Sequence, residues 1–148
     1  MRMRAVAVGA SVLALAACGG GGGGTRLSRD AYITKANAIC AKLAAERKAL
    51  KAPTSLAEEP PYIDRALPLL DDGLSDLGAL KPPANMETSV DALLQAAGQV
   101  RDLLAQLRTA AKKGDSLTVA KVGSQALQLN NQIQSRARAL GATGCTSL

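Results

Sequence analysis

Few residues in this chain can do chemistry: Cys18, Cys40 and Cys145, an acidic group of Asp64, Asp71, Asp72 and Asp76, the adjacent Glu58 and Glu59, and the aromatics Tyr32 and Tyr62. Histidine is absent, which removes the commonest general base and the commonest transition-metal ligand together. Ser-His-Asp and Cys-His nucleophiles, His-ligated zinc and His-ligated haem are thereby excluded. A di-iron carboxylate bundle, which needs Glu-x-x-His on two helices, is excluded in that form. Met86 alone, with no Cys-x-x-Cys-His, makes no haem site. Asp72 and Asp76 stand four apart and share a helix face. A calcium loop, however, alternates its oxygen ligands around a glycine and closes with glutamate, and the cluster follows no such pattern, so it reads as a solvated acidic face. Glu58 and Glu59 have the residue type for glycoside cleavage, but a proline-rich connection holds two groups poorly at a fixed separation. No catalytic, cofactor or metal site is assigned, and the chain is read as non-enzymatic.

Cys18 is set apart by what precedes it. Arg2 and Arg4 form a positive start, and Ala5 to Ala16 is an apolar stretch of Ala, Val and Leu with one Gly and one Ser. Small residues then lead into the cysteine, which is the order of a secretory signal. The stretch falls short of the about 20 residues of a permanent spanning helix. The two arginines are not adjacent, so a twin-arginine signal is not indicated. Leu15-Ala16-Ala17-Cys18 resembles a bacterial lipobox. The resemblance implies that residues 1–17 are cleaved, that the Cys18 thiol carries diacylglycerol, and that the new amine takes an acyl chain such as palmitate. Several acyl chains make stable anchoring where one is marginal, so a place at the extracytoplasmic face of a bacterial cell membrane is expected.

Residues 18–27 read as the lipidated cysteine and a tether built on the glycine run Gly19 to Gly24. As a Gly-rich coil of about ten residues it spans roughly 17 Å. It is not a phosphate loop, which would follow a strand and end in Gly-Lys-Ser/Thr. Cleavage takes Arg2 and Arg4 from the 18 basic residues and leaves a net charge of +4 against the 12 acidic ones. That diffuse excess suits an anionic membrane surface and does not point to nucleic acid.

Residues 28–148 suffice for one compact domain. The chain has no Phe or Trp and is poor in β-branched residues, which favours helices with a Leu, Ala, Val and Ile core over a sandwich or barrel. Four stripes at helical spacing follow. The first, capped by Ser28, runs to about Leu50 with Tyr32, Ala36, Ile39 and Leu43 on one face. The second runs from Tyr62 to Leu80 through Leu67, Leu70, Leu74 and Leu77, with a kink or restart expected at Pro68. The third runs from Ala84 to Lys113 through Val90, Leu93, Ala97, Val100, Leu104 and Leu107, with Gly114 as its C-terminal stop. The fourth, capped by Asp115 or Ser116, carries Leu117, Val122, Ala126, Leu129, Ile133 and Ala137 as far as Gly141. Short connections make this an all-α chain folded as an antiparallel four-helix bundle. The basic first helix, with Arg29, Lys35, Lys42, Arg47, Lys48 and Lys51, is expected to pair with the acidic face of the second.

In an exported domain two remaining cysteines most often pair, and the antiparallel order brings the tail after Gly141 within reach of the first helix. A Cys40 to Cys145 bridge is therefore expected, against a buried free Cys40 beside a loose tail thiol or an intermolecular bridge. The run Ala36-Asn37-Ala38-Ile39-Cys40 after Tyr32-Ile33, with a second cysteine near the C-terminus, resembles small uncharacterised helical lipoproteins of high-GC bacteria. That resemblance strengthens the expectation of the disulfide and brings no known activity with it. Gln125, Gln128, Asn130, Asn131, Gln132 and Gln134 make the fourth helix amide-rich, read as solvated surface ahead of a recognition face. Tyr32 and Tyr62 read as core or capping residues ahead of groove-lining ones. The expected role is binding or scaffolding in the bacterial envelope, with an envelope protein or cell-wall polymer as partner. The alternative is a carrier or sensor holding a small apolar or cationic ligand between helices, and a carboxylate-dependent cell-wall hydrolase comes third.

Overall fold

Four long helices form the frame in the computed structural model, which describes residues 25–147; the signal, Cys18 and the glycine run lie outside the described residues. α1 is Arg29–Ala49, α2 Glu59–Ala79, α3 Glu87–Lys112 and α4 Ser116–Leu140, with short 3₁₀ turns at Leu56–Glu58 and Thr143–Ser147. Local chemistry sets the ends. The Ser28 hydroxyl accepts from the Ala31 N–H at 3.2 Å, and the Asp115 carboxylate from the Thr118 N–H at 3.0 Å. Each cap satisfies a helix donor that has no partner within the helix. Gly114 and Gly141 take the left-handed conformation, φ 70° and 88°, just past α3 and α4, as a helix stop without a Cβ can.

α2 starts earlier than its leucine stripe indicates. Pro60 and Pro61 occupy its first turn, where a missing N–H breaks no helical bond. The helix does not restart at Pro68, one of the two outcomes expected there, but continues through it as a single element. Pro68 is exposed, and so is Asp64, whose carbonyl Pro68 leaves without a helical donor; water can serve that carbonyl.

Neighbours in sequence pack as neighbours in space, most closely along the α3/α4 and α2/α3 seams. The fourth seam differs, since α1 and α4 barely approach each other and the C-terminal 3₁₀ turn packs against both. The Arg29 guanidinium donates to the Leu140 carbonyl at 3.3 Å, placing the end of α4 beside the start of α1. The Sγ atoms of Cys40 and Cys145 are at disulfide distance, 1.97 Å, with their Cα atoms 4.9 Å apart. The Gly144 N–H donates to Asn37 Oδ1 at 2.9 Å. A Cβ on Gly144 would stand 3.0 Å from the Asn37 Cβ and 3.1 Å from its Cα, so glycine is what lets the turn lie this close to α1. Closing a loop across 105 residues contributes about 4–5 kcal/mol in the chain-entropy model.

The continuous core gathers at this end. Tyr32, Ala36, Cys40, Leu77, Met86 and Val90 pack with Ala137, Ala142 and Cys145. Leu27 packs against the same cluster, its N–H donating to the Lys81 carbonyl at 2.8 Å. Arg26 bonds the Pro82 carbonyl at 3.1 Å and Glu87 at 2.8 Å. The docked chain thus begins ahead of the first cap.

The charges pair otherwise than expected. Acidic α2 turns two carboxylates toward α3: Asp71 takes a two-pronged contact from Arg101, at 2.9 and 3.3 Å. Asp64 meets Arg108 at 2.8 Å and Lys112 at 3.6 Å. Both carboxylates lie to one side of the α2 core stripe, seven residues and nearly two turns apart. Leu117 also departs from its stripe: it is 84% exposed in the first turn of α4.

Candidate functional site: an apolar cavity between the helices

The pole opposite the disulfide is hollow. A cavity of about 390 Å³ lies among all four helices, within the range of roughly 300–1,000 Å³ usual for small-molecule sites. α1 contributes Leu43 and Arg47, and α2 contributes Tyr62, Ile63, Ala66 and Leu70. α3 supplies Ala97, Val100, Leu104 and Leu107, and α4 supplies Gly123, Ala126, Asn130 and Ile133. The lining is apolar except for Arg47, Tyr62 and Asn130, and Arg47 carries its only charge. Leu127, another wall residue, is 67% exposed, and Arg47 is exposed too. Tyr62 and Asn130 are half-buried, so these four form the rim.

The hollow follows from residue sizes and from the fourth seam. Ala66, Ala97, Gly123 and Ala126 face inward where a filled bundle would carry large side chains, and the chain has no Phe or Trp to reach across. A Cβ on Gly123 would meet nothing closer than Leu107 Cδ1 at 3.8 Å, an ordinary contact. Where the C-terminal turn fills the gap between α1 and α4 the core is closed. Beyond the reach of that turn the gap stays open. A second hollow of about 50 Å³ beside Tyr32, Cys40 and Cys145 is also apolar.

The other groups named from sequence lie apart from this site. Asp64 is held below the usual carboxylate range first by the hydrogen bond from Arg108, with Lys112 adding to it. Asp72 and Asp76 are exposed, and among the described residues no three of His, Cys, Asp and Glu come together as metal ligands. The Glu58 carboxylate accepts from the Thr54 N–H at 2.7 Å and the Thr54 hydroxyl at 2.9 Å. These bonds pull its pKa down and tie it to its own connection. Gln125, Gln128, Asn131 and Gln132 are exposed, and Gln134 accepts from Arg138 at 3.4 Å. Asn130 alone of the amide group lies in the cavity wall. The tyrosines divide: Tyr32 is in the core and Tyr62 is in the wall.

Arg47 was expected from sequence only as one of the basic residues of the first helix that pair with the acidic face of the second. It follows Leu43 by four residues and precedes Leu50 by three, so helical spacing already places it on the inward face. The alanines of the stripes were the second available signal, since Ala97 and Ala126 were counted as inward positions. Comparison of the chain with protein-family models, curated proteins and solved structures finds no match.

Proposed function

We propose that this protein is a non-enzymatic lipoprotein, anchored through Cys18 at the extracytoplasmic face of a bacterial membrane, that holds a small apolar ligand between its helices. The cavity of about 390 Å³ carries this reading. Scaffolding alone gives no reason for an apolar hollow open at its rim, because a filled core would take that apolar surface out of water. A ligand does the same. The mainly aliphatic lining suits an apolar ligand. The lipobox, the absence of histidine and the engagement of Asp64, Asp71 and Glu58 in local pairs support the anchored, non-enzymatic part.

Thermal unfolding of the full chain in phosphatidylcholine nanodiscs, with and without decanol, tests the ligand reading. A ligand that binds only the folded form at a hundredfold over its Kd adds about 2.7 kcal/mol. For a domain of this size the melting temperature then rises by on the order of 10 °C. Ala126→Phe, which fills the hollow, should melt at or above the temperature of the unsubstituted chain and lose the response. Absence of a shift in the unsubstituted chain, or an equal shift in Ala126→Phe, would overturn the reading.

A further inference from the structure

We infer that the ligand is a single unbranched aliphatic chain lying along the bundle axis, and that Ala97 sets how far it reaches. The chain runs from the cavity past a layer formed by Leu43, Leu70, Ala97 and Ile133 into the inner hollow beside the disulfide. The inference rests on the ligand reading above and adds the chemical class and the limit on length. Those four residues, one from each helix, line both the cavity of about 390 Å³ and the hollow of about 50 Å³. The two spaces therefore face each other across a single layer of side chains. Seven residues farther along each helix toward the disulfide, Ala36, Leu77, Val90 and Leu140 line the inner hollow. Seven residues make nearly two turns, so this second layer keeps the face of the first and lies about 10 Å deeper.

Shape selects the chain. On the outer side the walls run ten residues along α3, from Ala97 to Leu107, and ten along α4, from Ile133 to Gly123, about 15 Å in each case. Outer and inner reaches together make a column of about 25 Å. The inner hollow, about 50 Å³, is far smaller than the cavity of about 150 Å³ that accommodates benzene. A ring therefore stops at the layer, and only the end of a chain fits beyond it. Ala97 is the gap in that layer: Leu43, Leu70 and Ile133 carry branched side chains, and Ala97 only a methyl group. No charged residue lines the inner hollow, so the hydrocarbon end enters it, and a polar head, costly to bury without a partner, stays at the rim with Tyr62 and Asn130.

Octanol and hexadecanol, each carrying a diazirine at its terminal carbon, can be added separately to the full chain in phosphatidylcholine nanodiscs and photolysed, with the labelled residues located by fragment mass. Octanol, whose extended chain is shorter than the outer reach, should label only outer walls such as Val100, Leu104 and Ala126. Hexadecanol, whose chain is longer than that reach, should place its label beyond the layer, at Leu77 and Val90. In Ala97→Leu the deep label should be lost while octanol still labels the outer walls, which also shows that the bundle has survived the substitution. Ala97→Gly should keep the deep label. If Ala97→Leu loses the octanol label too, Ala97→Val, a smaller addition, is held to the same criterion. Hexadecanol labelling confined to the outer walls, or deep labelling undiminished by the larger side chain, overturns the inference and leaves the apolar-ligand reading standing. If neither probe labels the cavity walls of the unsubstituted chain, both fall.

Discussion

Tyr32 buries its ring in the core with 4% of its surface exposed, and its phenol responds. Burial, and secondarily the charge of Asp91, raise its pKa above the ordinary value of 10.0. A tyrosine raised in the folded state keeps its proton where the unfolded chain has lost it. Its contribution is therefore fully present below about pH 10 and is lost as pH climbs through the folded value. We expect urea midpoints to fall more steeply above pH 10 in the unsubstituted chain than in Tyr32→Phe, whose difference from it should be constant at lower pH. Parallel curves across the alkaline range would contradict this. Carboxylates act on the other limb. Asp64, Glu58 and Asp115 are all lowered, so what they contribute is present above about pH 4 and fades as pH drops through their depressed values.

At the scale of elements, the C-terminal 3₁₀ turn matters out of proportion to its length, because it packs against both α1 and α4 where those helices have little contact of their own. Gly144→Ala would push a methyl group against Asn37, whose backbone Cα is only 3.1 Å from the added atom. Overpacking of this kind costs about 1–3 kcal/mol, to be read as a lowered urea midpoint with unchanged slope. Retained stability would mean that the turn can move off α1 without loss. The helices themselves were legible in the sequence: period marked the four stripes, and Ser28, Asp115 and Gly141 marked ends. So was the bridge, since antiparallel order brings residue 145 back to residue 40. What period cannot supply is the rotation of one helix against the next. That rotation sends Asp64 and Asp71 to α3 instead of α1. The same gap hid the cavity: the stripes named Ala97 and Ala126 as inward without showing that Ala66 and Gly123 line the same space, where no large side chain makes up the volume. Of the kink or restart expected at Pro68, the restart does not occur, since the exposed Asp64 carbonyl that loses its donor can turn to water and the helix continues.

For the whole molecule the two poles are chemically unlike. One has the disulfide, the tyrosine core and the entry of the chain through Leu27, and the other has the hollow and Arg47. The first described residues after the proposed lipid site, Arg26 and Leu27, dock at the closed pole. Intact mass of the membrane-extracted protein, taken before and after reduction with thiol alkylation, should show loss of residues 1–17, added acyl groups, and two alkylatable thiols only after reduction. An uncleaved, unacylated chain would remove the anchor and the envelope location, while leaving the cavity to be judged by ligand binding alone.

The Cys40 to Cys145 bridge has a mechanical side as well. It grips α1 near its middle, with Arg47 seven residues farther on, about 10 Å along the axis. That outer stretch rests on α2 through Leu43, packed at Gly73, and has only the open gap between it and α4. The covalent grip therefore ends near the middle of α1, and the close packing of Leu43 at Gly73 on α2 is what holds the stretch beyond it.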